Sequence, residues 1–257
     1  LIEWPVVTSS VTAGWADGET AAVAGPTAFA TTDKALSPDN TLGITMKITR
    51  KAMKQVGDAL EQAVRRDMSS AIEAALDKAV FLGTGADGQP LGVISGAATY
   101  GINVQAVDAL ASWSAFRAQV TAFMVANAAS GPGSVRSLIR PELWDYLEDV
   151  LIDGTATTEW DRMIRHIPAG NIAMSSNALA ALAGDVLASS ALLTTTTGGQ
   201  APIYVGAWGA VDLIRDPFSD ASSGGLRVTA LATLDVTVAR PVQLRVLTGL
   251  ETAVDAG

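Results

Sequence analysis

The sequence contains no cysteine and only one histidine, His166, and these two shortages exclude several kinds of site. Without cysteine, the chain can form neither disulfides nor thiolate metal centres. With a single histidine, a transition-metal site would have to be built mostly from carboxylates. Any Ser-His-Asp system would have to use the same histidine, yet no G-x-S-x-G sequence accompanies it. We therefore expect no metal centre and no catalytic centre.

Charged residues are scarce as well, at 17% of the 257 residues, and 26 acidic side chains outnumber 17 basic ones. The net charge of −9 and the lack of a visible basic patch argue against a protein whose main task is to grip phosphates. The hydrophobic fraction of 49% is high for a monomer, which predicts that partner subunits cover much of the surface. Because no apolar run approaches the roughly 18 residues of a membrane span, we expect no membrane association.

Residues 1–33 lack a helical period. They contain too few large apolar side chains to build a core of their own, although they include Trp4 and Trp15. We interpret them as an arm and a loop that lie on another surface, such as a neighbouring subunit. A disordered terminus is the alternative. The chain starts at Leu1 with a sequence unlike a signal peptide, so we expect either a trimmed precursor or an artificial boundary.

In residues 42–82, apolar residues first alternate with other residues and then recur with a helical period. Leu42, Ile44, Met46 and Ile48 alternate with smaller or polar residues, which predicts a half-buried strand. From there to residue 82, apolar residues recur every four positions and predict one amphipathic helix of roughly 30 residues, about 45 Å long. Such a length suits a spine laid along a flat module, because a helix inside a small core would not need it.

Beyond residue 93, the periodicity predicts several shorter elements. We expect helices over 107–127 and 141–151, and strands over 135–139, 203–205, 210–214, 226–231, 234–238 and 242–247. Residues 172–187 are ambiguous, and the threonines and glycines of 189–200 predict a flexible loop. No internal repeat is visible, so we expect one mixed α+β unit with interleaved segments.

A glycine-rich turn follows the long helix. Gly83, Gly85 and Gly88 satisfy the dinucleotide-binding spacing G-x-G-x-x-G. That motif works only between a strand and the start of a helix, whereas here a helix ends and Pro90 blocks a new one. We therefore expect no cofactor. Together with Gly92, these residues predict a structural turn in which glycines supply positive φ and the chain reverses.

A soluble hydrolase is the remote alternative. Asp145, Glu148, Asp149 and Asp153 cluster on or after the third predicted helix, and helical spacing places Asp145 and Asp149 on one face. A solvated helix face explains the same pattern. A hydrolase of this kind would also use His166.

Five segments, in their order along the chain, resemble a known family. They are a W-x-x-x-E sequence from Trp15 to Glu19, AVFLGTG over 79–85, GQPLGV over 88–93, LIRPELW over 138–144 and YVGAW over 204–208. This order resembles the Hong Kong 97-type major capsid proteins of tailed bacteriophages, in their mature, N-terminally processed form. Ala207 stands where the family typically has an acidic residue, and residues 155–200 match only loosely.

The resemblance implies an α+β capsid fold with a spine helix. Its parts would be an N-terminal arm (1–14), an extended loop hairpin and strand (15–48), a peripheral domain with the spine helix (49–106), an axial domain (107–203) and C-terminal strands that return to the peripheral domain and end near the axial domain (204–257). Hexamers and pentamers would close into an icosahedral shell around packaged double-stranded DNA, in the virion. An encapsulin-type nanocompartment is the alternative, because it has the same fold.

The family also implies partners. Assembly would occur in the host bacterial cytoplasm with a portal, a scaffolding segment and a maturation protease, and decoration proteins would be a further addition. The acidic balance suits a shell that confines DNA without binding it tightly, although solubility alone explains it equally well.

Trp4, Trp15, Glu19 and Lys34 are our candidate interface residues. In some members of the family, a lysine–asparagine isopeptide bond crosslinks neighbouring subunits of the shell. Lys34 lies in the loop that would supply the lysine. Because no asparagine follows Asn177, the C-terminal strands offer no partner, and we expect a shell without covalent crosslinks.

Overall fold

A computed structural model describes residues 2–7, 31–56, 58–152, 154–182, 186–196 and 199–254. The helices are α1 (Arg50–Val56), α2 (Asp58–Leu82), α3 (Ala97–Tyr100), α4 (Trp113–Val125), α5 (Pro141–Asp149) and α6 (Glu159–Ile164). The strands are β1 (Ile2–Val7), β2 (Thr31–Leu36), β3 (Thr41–Ile48), β4 (Asn103–Leu110), β5 (Val135–Ile139), β6 (Ile172–Met174), β7 (Val186–Thr195), β8 (Ile203–Ala207), β9 (Asp212–Asp216), β10 (Leu226–Val238) and β11 (Leu244–Val254). These elements form two large sheets and a two-stranded pair.

The first large sheet has four strands, with β10 at its centre. β3 pairs antiparallel with one edge of β10, and β8 and β9 pair with the other edge. Burial alternates along β10, because successive side chains of a strand point to opposite faces. On the open face, the hydroxyls of Thr41 and Thr233 lie 3.1 Å apart, as do those of Thr45 and Thr229. The sheet therefore has one apolar and one polar face.

α2 crosses the apolar face of this sheet along a single stripe of side chains. Met68 and Ile72 are fully buried, and they pack in a cluster with Ile48, Leu226 and Val228. Residues four positions apart lie on one side of a helix, which explains why the sequence period of four produces this stripe. The predicted long helix is thus present as α1 and α2, which flank Gly57, a residue outside the described ranges.

The second large sheet has five strands in the order β4-β11-β7-β5-β6. β11 pairs in parallel with β4 and antiparallel with β7, so the C-terminal strand lies inside this sheet. Helices α4, α5 and α6 supply the buried side chains that pack with it. The largest of these are Phe116, Phe123, Leu143, Leu147 and Met163.

A third apolar cluster joins the two sheets. It contains Leu234 and Val236 from β10, Leu244 and Val246 from β11, and Leu192 from β7. The end of α2 packs against the same cluster. The chain therefore turns, directly after α2, at the place where both sheets meet.

Two sequence predictions in the second sheet are wrong. The helix expected over 107–127 begins only at Trp113, because the preceding residues form β4 and pair with β11. The loop expected over 189–200 is largely β7, a strand whose two edges are both occupied by neighbours.

The two short strands expected over 226–231 and 234–238 form one continuous strand, β10. Its first half pairs with β9 and its second half with β8. Buried and partly buried side chains alternate without interruption from the first half into the second. The strands expected near 210–214 and 242–247 are shifted to Asp212–Asp216 and Leu244–Val254.

No helix in the described ranges combines the length and the apolar character that a bilayer crossing requires.

Candidate functional site

The turn after α2 is held by backbone hydrogen bonds across residues 83–92. The Gly92 N–H donates to the Gly83 carbonyl oxygen at 2.9 Å, and the Gly85 N–H donates to the Pro90 carbonyl oxygen at 3.2 Å. The next helix, α3, begins only at Ala97. The glycines therefore connect a helix end to extended chain, which is the opposite of the arrangement that binds a pyrophosphate.

Two positions of the turn require glycine because there is no space for a side chain. A Cβ atom at Gly83 would overlap the Pro90 carbonyl oxygen. A Cβ atom at Gly92 would lie 2.5 Å from the Gly83 nitrogen and 2.6 Å from the Phe81 carbonyl carbon. Both obstacles are backbone atoms, so no side-chain adjustment can relieve the contact.

Gly85 and Gly88 differ from these two because their backbone conformation is what requires glycine. Their φ angles are 70° and 73°, in the left-handed region. A Cβ at Gly88 would meet no atom within 4 Å, whereas one at Gly85 would lie 3.1 Å from the Leu91 side chain. The sequence indicated the positive φ values, but nothing in it indicated that Gly83 and Gly92 approach other backbone atoms closely.

Tyr100 fastens the turn to the first sheet. Its hydroxyl lies 2.9 Å from the Leu91 carbonyl oxygen and 3.1 Å from the Val236 carbonyl oxygen on β10. Burial, followed by the nearby negative charge of Asp235, raises the pKa of Tyr100 to about 12. The neutral phenol is thus the form that the fold requires. Sequence reasoning did not identify this residue, because its two acceptors are backbone groups.

Arg140 is a second residue that sequence reasoning missed. Its guanidinium is buried and donates to the carbonyl oxygens of Ser176 and Leu179 at 2.8 and 2.9 Å. It also forms two hydrogen bonds to the Glu142 carboxylate, which lower the pKa of that carboxyl. Arg140 therefore holds the chain that follows β6 against the start of α5. The R-P-E sequence at the start of the helix was the available signal.

The surface of α2 next to the turn is open and mixed in character. A depression of about 410 Å³ is lined by apolar and polar side chains, namely Leu42, Ala75, Lys78, Ala79, Leu82, Thr84 and Gln89, together with Gly83. Small side chains on a helix allow another chain to approach its backbone closely. The geometry suits a contact surface for another polypeptide, because the depression combines small apolar side chains with the polar groups of Lys78, Thr84 and Gln89.

The candidate interface residues are only partly within the described ranges. Trp4 on β1 lies opposite Lys34 on β2 in an antiparallel pair, and the Lys34 side chain is partly buried. Trp15 and Glu19 lie outside the described residues. The structure thus brings two of the four candidates together.

The residues of the hydrolase alternative are not assembled. His166 stacks on the Trp113 ring, with centroids 5.1 Å apart and planes 6° from parallel. Asp145 and Asp149 are exposed on α5, and within the described ranges no hydrogen bond or ion pair joins either of them to His166. The same part of the chain contains no group of His, Asp and Glu side chains suited to a metal ion.

Comparisons with known proteins give one consistent answer. The model of the Phage capsid family matches residues 1–249. The major capsid protein of Halomonas phage phiHAP-1 is 28% identical over 206 residues, which cover 80% of this chain and 31% of that protein. The chain thus spans about a third of the length of this curated relative.

Solved capsid structures share the fold. The capsid of an empty GTA particle matches with a TM-score of 0.69 at 13% identity, over 96% of this chain and 90% of that one. Mycobacterium phage Adephagia gives a TM-score of 0.65 at 13% identity, over 96% and 84%. The capsid of Myoviridae phage XM1 gives 0.57 at 13% identity, over 96% and 86%.

These structures confirm the predicted Hong Kong 97-like capsid fold. The matching family consists of structural capsid proteins, which confirms the expectation that the chain is not an enzyme. The family match extends over nearly the whole sequence, and the chain belongs to the phage capsid family.

Proposed function

We propose that this chain is the major capsid protein of a tailed phage and that many copies of it assemble, as hexamers and pentamers, into an icosahedral shell. The observation that carries the proposal is the match of the Phage capsid family over residues 1–249, because the solved structures, at 13% identity, support the fold, which an encapsulin would share.

The division of the chain is part of the proposal. We place an arm at 1–14, an extended loop and strand at 15–48, a peripheral domain at 49–106, an axial domain at 107–203 and the returning strands at 204–257. The insertion of β11 into the sheet of β4, β5, β6 and β7 supports an ending near the axial domain. Trp4, Trp15, Glu19 and Lys34 would contact neighbouring copies.

The shell would enclose double-stranded DNA without reading its sequence. Portal, scaffolding segment and maturation protease would act during assembly in the host cytoplasm, and decoration proteins would bind afterwards. The net charge of −9 supports weak contact between the lining and DNA.

Electron microscopy of the purified chain tests the proposal. We expect closed shells of uniform size that contain nucleic acid when isolated from infected cells, as judged by the ratio of absorbance at 260 and 280 nm. Shells that enclose enzymes and lack nucleic acid would indicate an encapsulin, and a chain that stays monomeric at high concentration would contradict a shell protein.

The shell would also lack covalent crosslinks, because no asparagine follows Asn177. Denaturing gels of mature particles should show a single band at the subunit mass. A ladder of higher bands that disappears in a Lys34→Arg variant would contradict this prediction.

A further inference from the structure

Phe218 is the most exposed large hydrophobic side chain of the described residues, with 83% of its surface accessible. It follows β9, a short strand that pairs with β10 on one side. Leu213 and Ile214 of β9 are 40% and 50% exposed. Leu213 and Ile214 are consecutive on the strand and point to opposite faces of the sheet, so Phe218 is the side chain that marks a contact surface here. We call residues 212–220 the Phe218 turn.

The Phe218 turn is held firmly in place. One oxygen of the Asp216 carboxylate accepts hydrogen bonds from the backbone N–H groups of Phe218 at 2.8 Å and Ser219 at 3.0 Å, and the other accepts from the Ser219 hydroxyl. At the end of the turn, Asp220 forms ion pairs with Lys47 at 2.8 Å and Arg227 at 3.1 Å. A side chain presented on such a fixed turn loses little freedom when it binds.

The turn carries two carboxylates beside its aromatic ring, and Arg215 between them forms an ion pair with Glu61 of α2 at 3.3 Å. Hydrogen bonds from Ser219 and Phe218 lower the pKa of Asp216, so its carboxylate stays ionised at neutral pH. Asp212 is exposed at the other end of β9. Within the described part of the chain, neither carboxylate forms an ion pair.

The same end of the molecule has an exposed basic surface. Arg50, Lys51 and Lys54 of α1 point into solvent, and no ion pair among the described residues engages them. The first turn of α1 contains no acidic residue. Between the three cations lie Ala52 and Met53, and Met53 packs on the core cluster of Ile48, Met68 and Ile72. The exposed side of α1 therefore presents positive charges on the aliphatic stems of its basic side chains.

We propose that the Phe218 turn of one copy docks against α1 of a second copy. Phe218 lies on the aliphatic stems of the basic side chains, and Asp212 and Asp216 face their charges. Each copy then gives one turn and receives another. Because the turn and α1 are two different surfaces, the contact is heterologous, which is the kind of contact that links successive copies of a ring.

Charge excludes the simplest alternative geometry. Two Phe218 turns face to face would bring Asp212 and Asp216 of both copies together, and like charges repel. Docking of the turn on α1 instead pairs opposite charges on both sides of an aromatic anchor. Aromatic residues surrounded by complementary charge are typical of the residues that dominate binding energy at interfaces.

Photo-crosslinking tests the contact directly. The inference rests on the proposed function, because the contact forms between assembled copies. Assembled shells that carry p-benzoylphenylalanine at position 218 should give crosslinked dimers on denaturing gels, with the attachment mapped to residues 50–56 of the other copy. Attachment to another region of the chain, or to packaged nucleic acid, would overturn the inference.

Assembly measurements distinguish the contribution of the Phe218 side chain from that of the charged residues around it. A Phe218→Ser variant should raise the subunit concentration needed for assembly about tenfold or more, while Phe218→Leu should assemble nearly as well as the parent. Asp212→Lys and Lys51→Glu should each weaken assembly, and the double variant should recover it. If the double variant is no better than the single ones, the pairing of charges is wrong.

Failure of this inference is distinguishable from failure of the proposed function. Parent chains that form no shells contradict the function itself. Normal shells from Phe218→Ser, with crosslinks mapped away from α1, contradict only the contact.

Discussion

The two longest helices with described packing, α2 and α4, are covered to very different extents. Of the described side chains in the 25-residue α2, Met68 and Ile72 are buried. In the 13-residue α4, five side chains are buried, including Phe116 and Phe123. α4 thus lies in a core to which several helices contribute, whereas α2 packs one stripe on its sheet and leaves exposed a face of alanines and charged side chains such as Arg66, Glu73 and Lys78.

The difference has a physical cause. α4 packs together with α5, α6 and the five-stranded sheet, so apolar side chains reach it from several directions. α2 lies on one face of a four-stranded sheet and is covered from that side. Burial drives folding in proportion to the apolar area removed from water. The region of α4 should therefore dominate the stability of the subunit, and the region of α2 its assembly.

The largest expected effect is on the core of α4. Phe116→Ala should lower the free energy of unfolding of the unassembled subunit by about 3–5 kcal/mol, because it leaves a cavity at a fully buried site. Leu60→Ala, at a partly buried position of α2, should cost only about 1–2 kcal/mol. Chemical denaturation of both variants measures the difference. Equal losses would show that α2 is covered as well as α4.

The next effect concerns the turn after α2. Gly92→Ala should destabilise the subunit by about 3 kcal/mol or prevent folding, because the new methyl group meets backbone atoms. Gly88→Ala is the matched control: it has free space and meets only the strain of a positive φ, about 1–2 kcal/mol. Similar unfolding midpoints for the two variants would refute the role of close backbone approach at Gly92.

A smaller effect should depend on pH. The pKa of Tyr100 is raised from 10.0 to about 12, so its contribution to stability is complete below pH 10 and is lost as the pH rises toward 12. Because the phenol is only partly buried, we expect a loss of about 1 kcal/mol. Denaturation of the parent and of Tyr100→Phe between pH 8 and 11 measures it. The variant should start less stable and lose less; parallel curves would contradict this assignment.

The smallest effect on folding should accompany a large effect on assembly. Ala74 lies on the exposed side of α2, so Ala74→Glu should change subunit stability by less than about 0.5 kcal/mol. We nevertheless expect it to impair shell formation, because it puts a long charged side chain where the small Ala71 and Ala74 would let a neighbouring copy approach the helix closely. Ala118→Glu, on the exposed side of α4, is the control and should leave assembly unchanged. If light scattering and electron microscopy show that Ala118→Glu impairs assembly and Ala74→Glu does not, then α4 and not α2 supplies the assembly surface.

Sequence reasoning worked well where one pattern persisted over many residues. The apolar period of four predicted the helix that ends at Leu82, and strict alternation predicted β3. It failed at β4, where Val107 and Leu110 have a spacing that fits a helix. That segment is a strand because β11, about 140 residues away in sequence, offers it a row of hydrogen-bonding partners.

The same reason explains β7. Its threonines and small residues resemble a loop, yet the segment lies between β11 and β5, where both of its edges are paired. Threonine is favoured in strands, but composition cannot reveal that two neighbours are available. Long-range pairing overrode the local signal here.

The sequence by itself determined the helical spine, the position of the turn and the membership of a capsid family, because these depend on local periodicity and on short motifs with fixed spacing. The tertiary structure alone decided which glycines tolerate no side chain, since Gly83 and Gly92 are constrained by backbone atoms up to eleven positions away. It also decided which helix is covered and which is left open. Those properties depend on the arrangement of distant segments, and no window of sequence contains them.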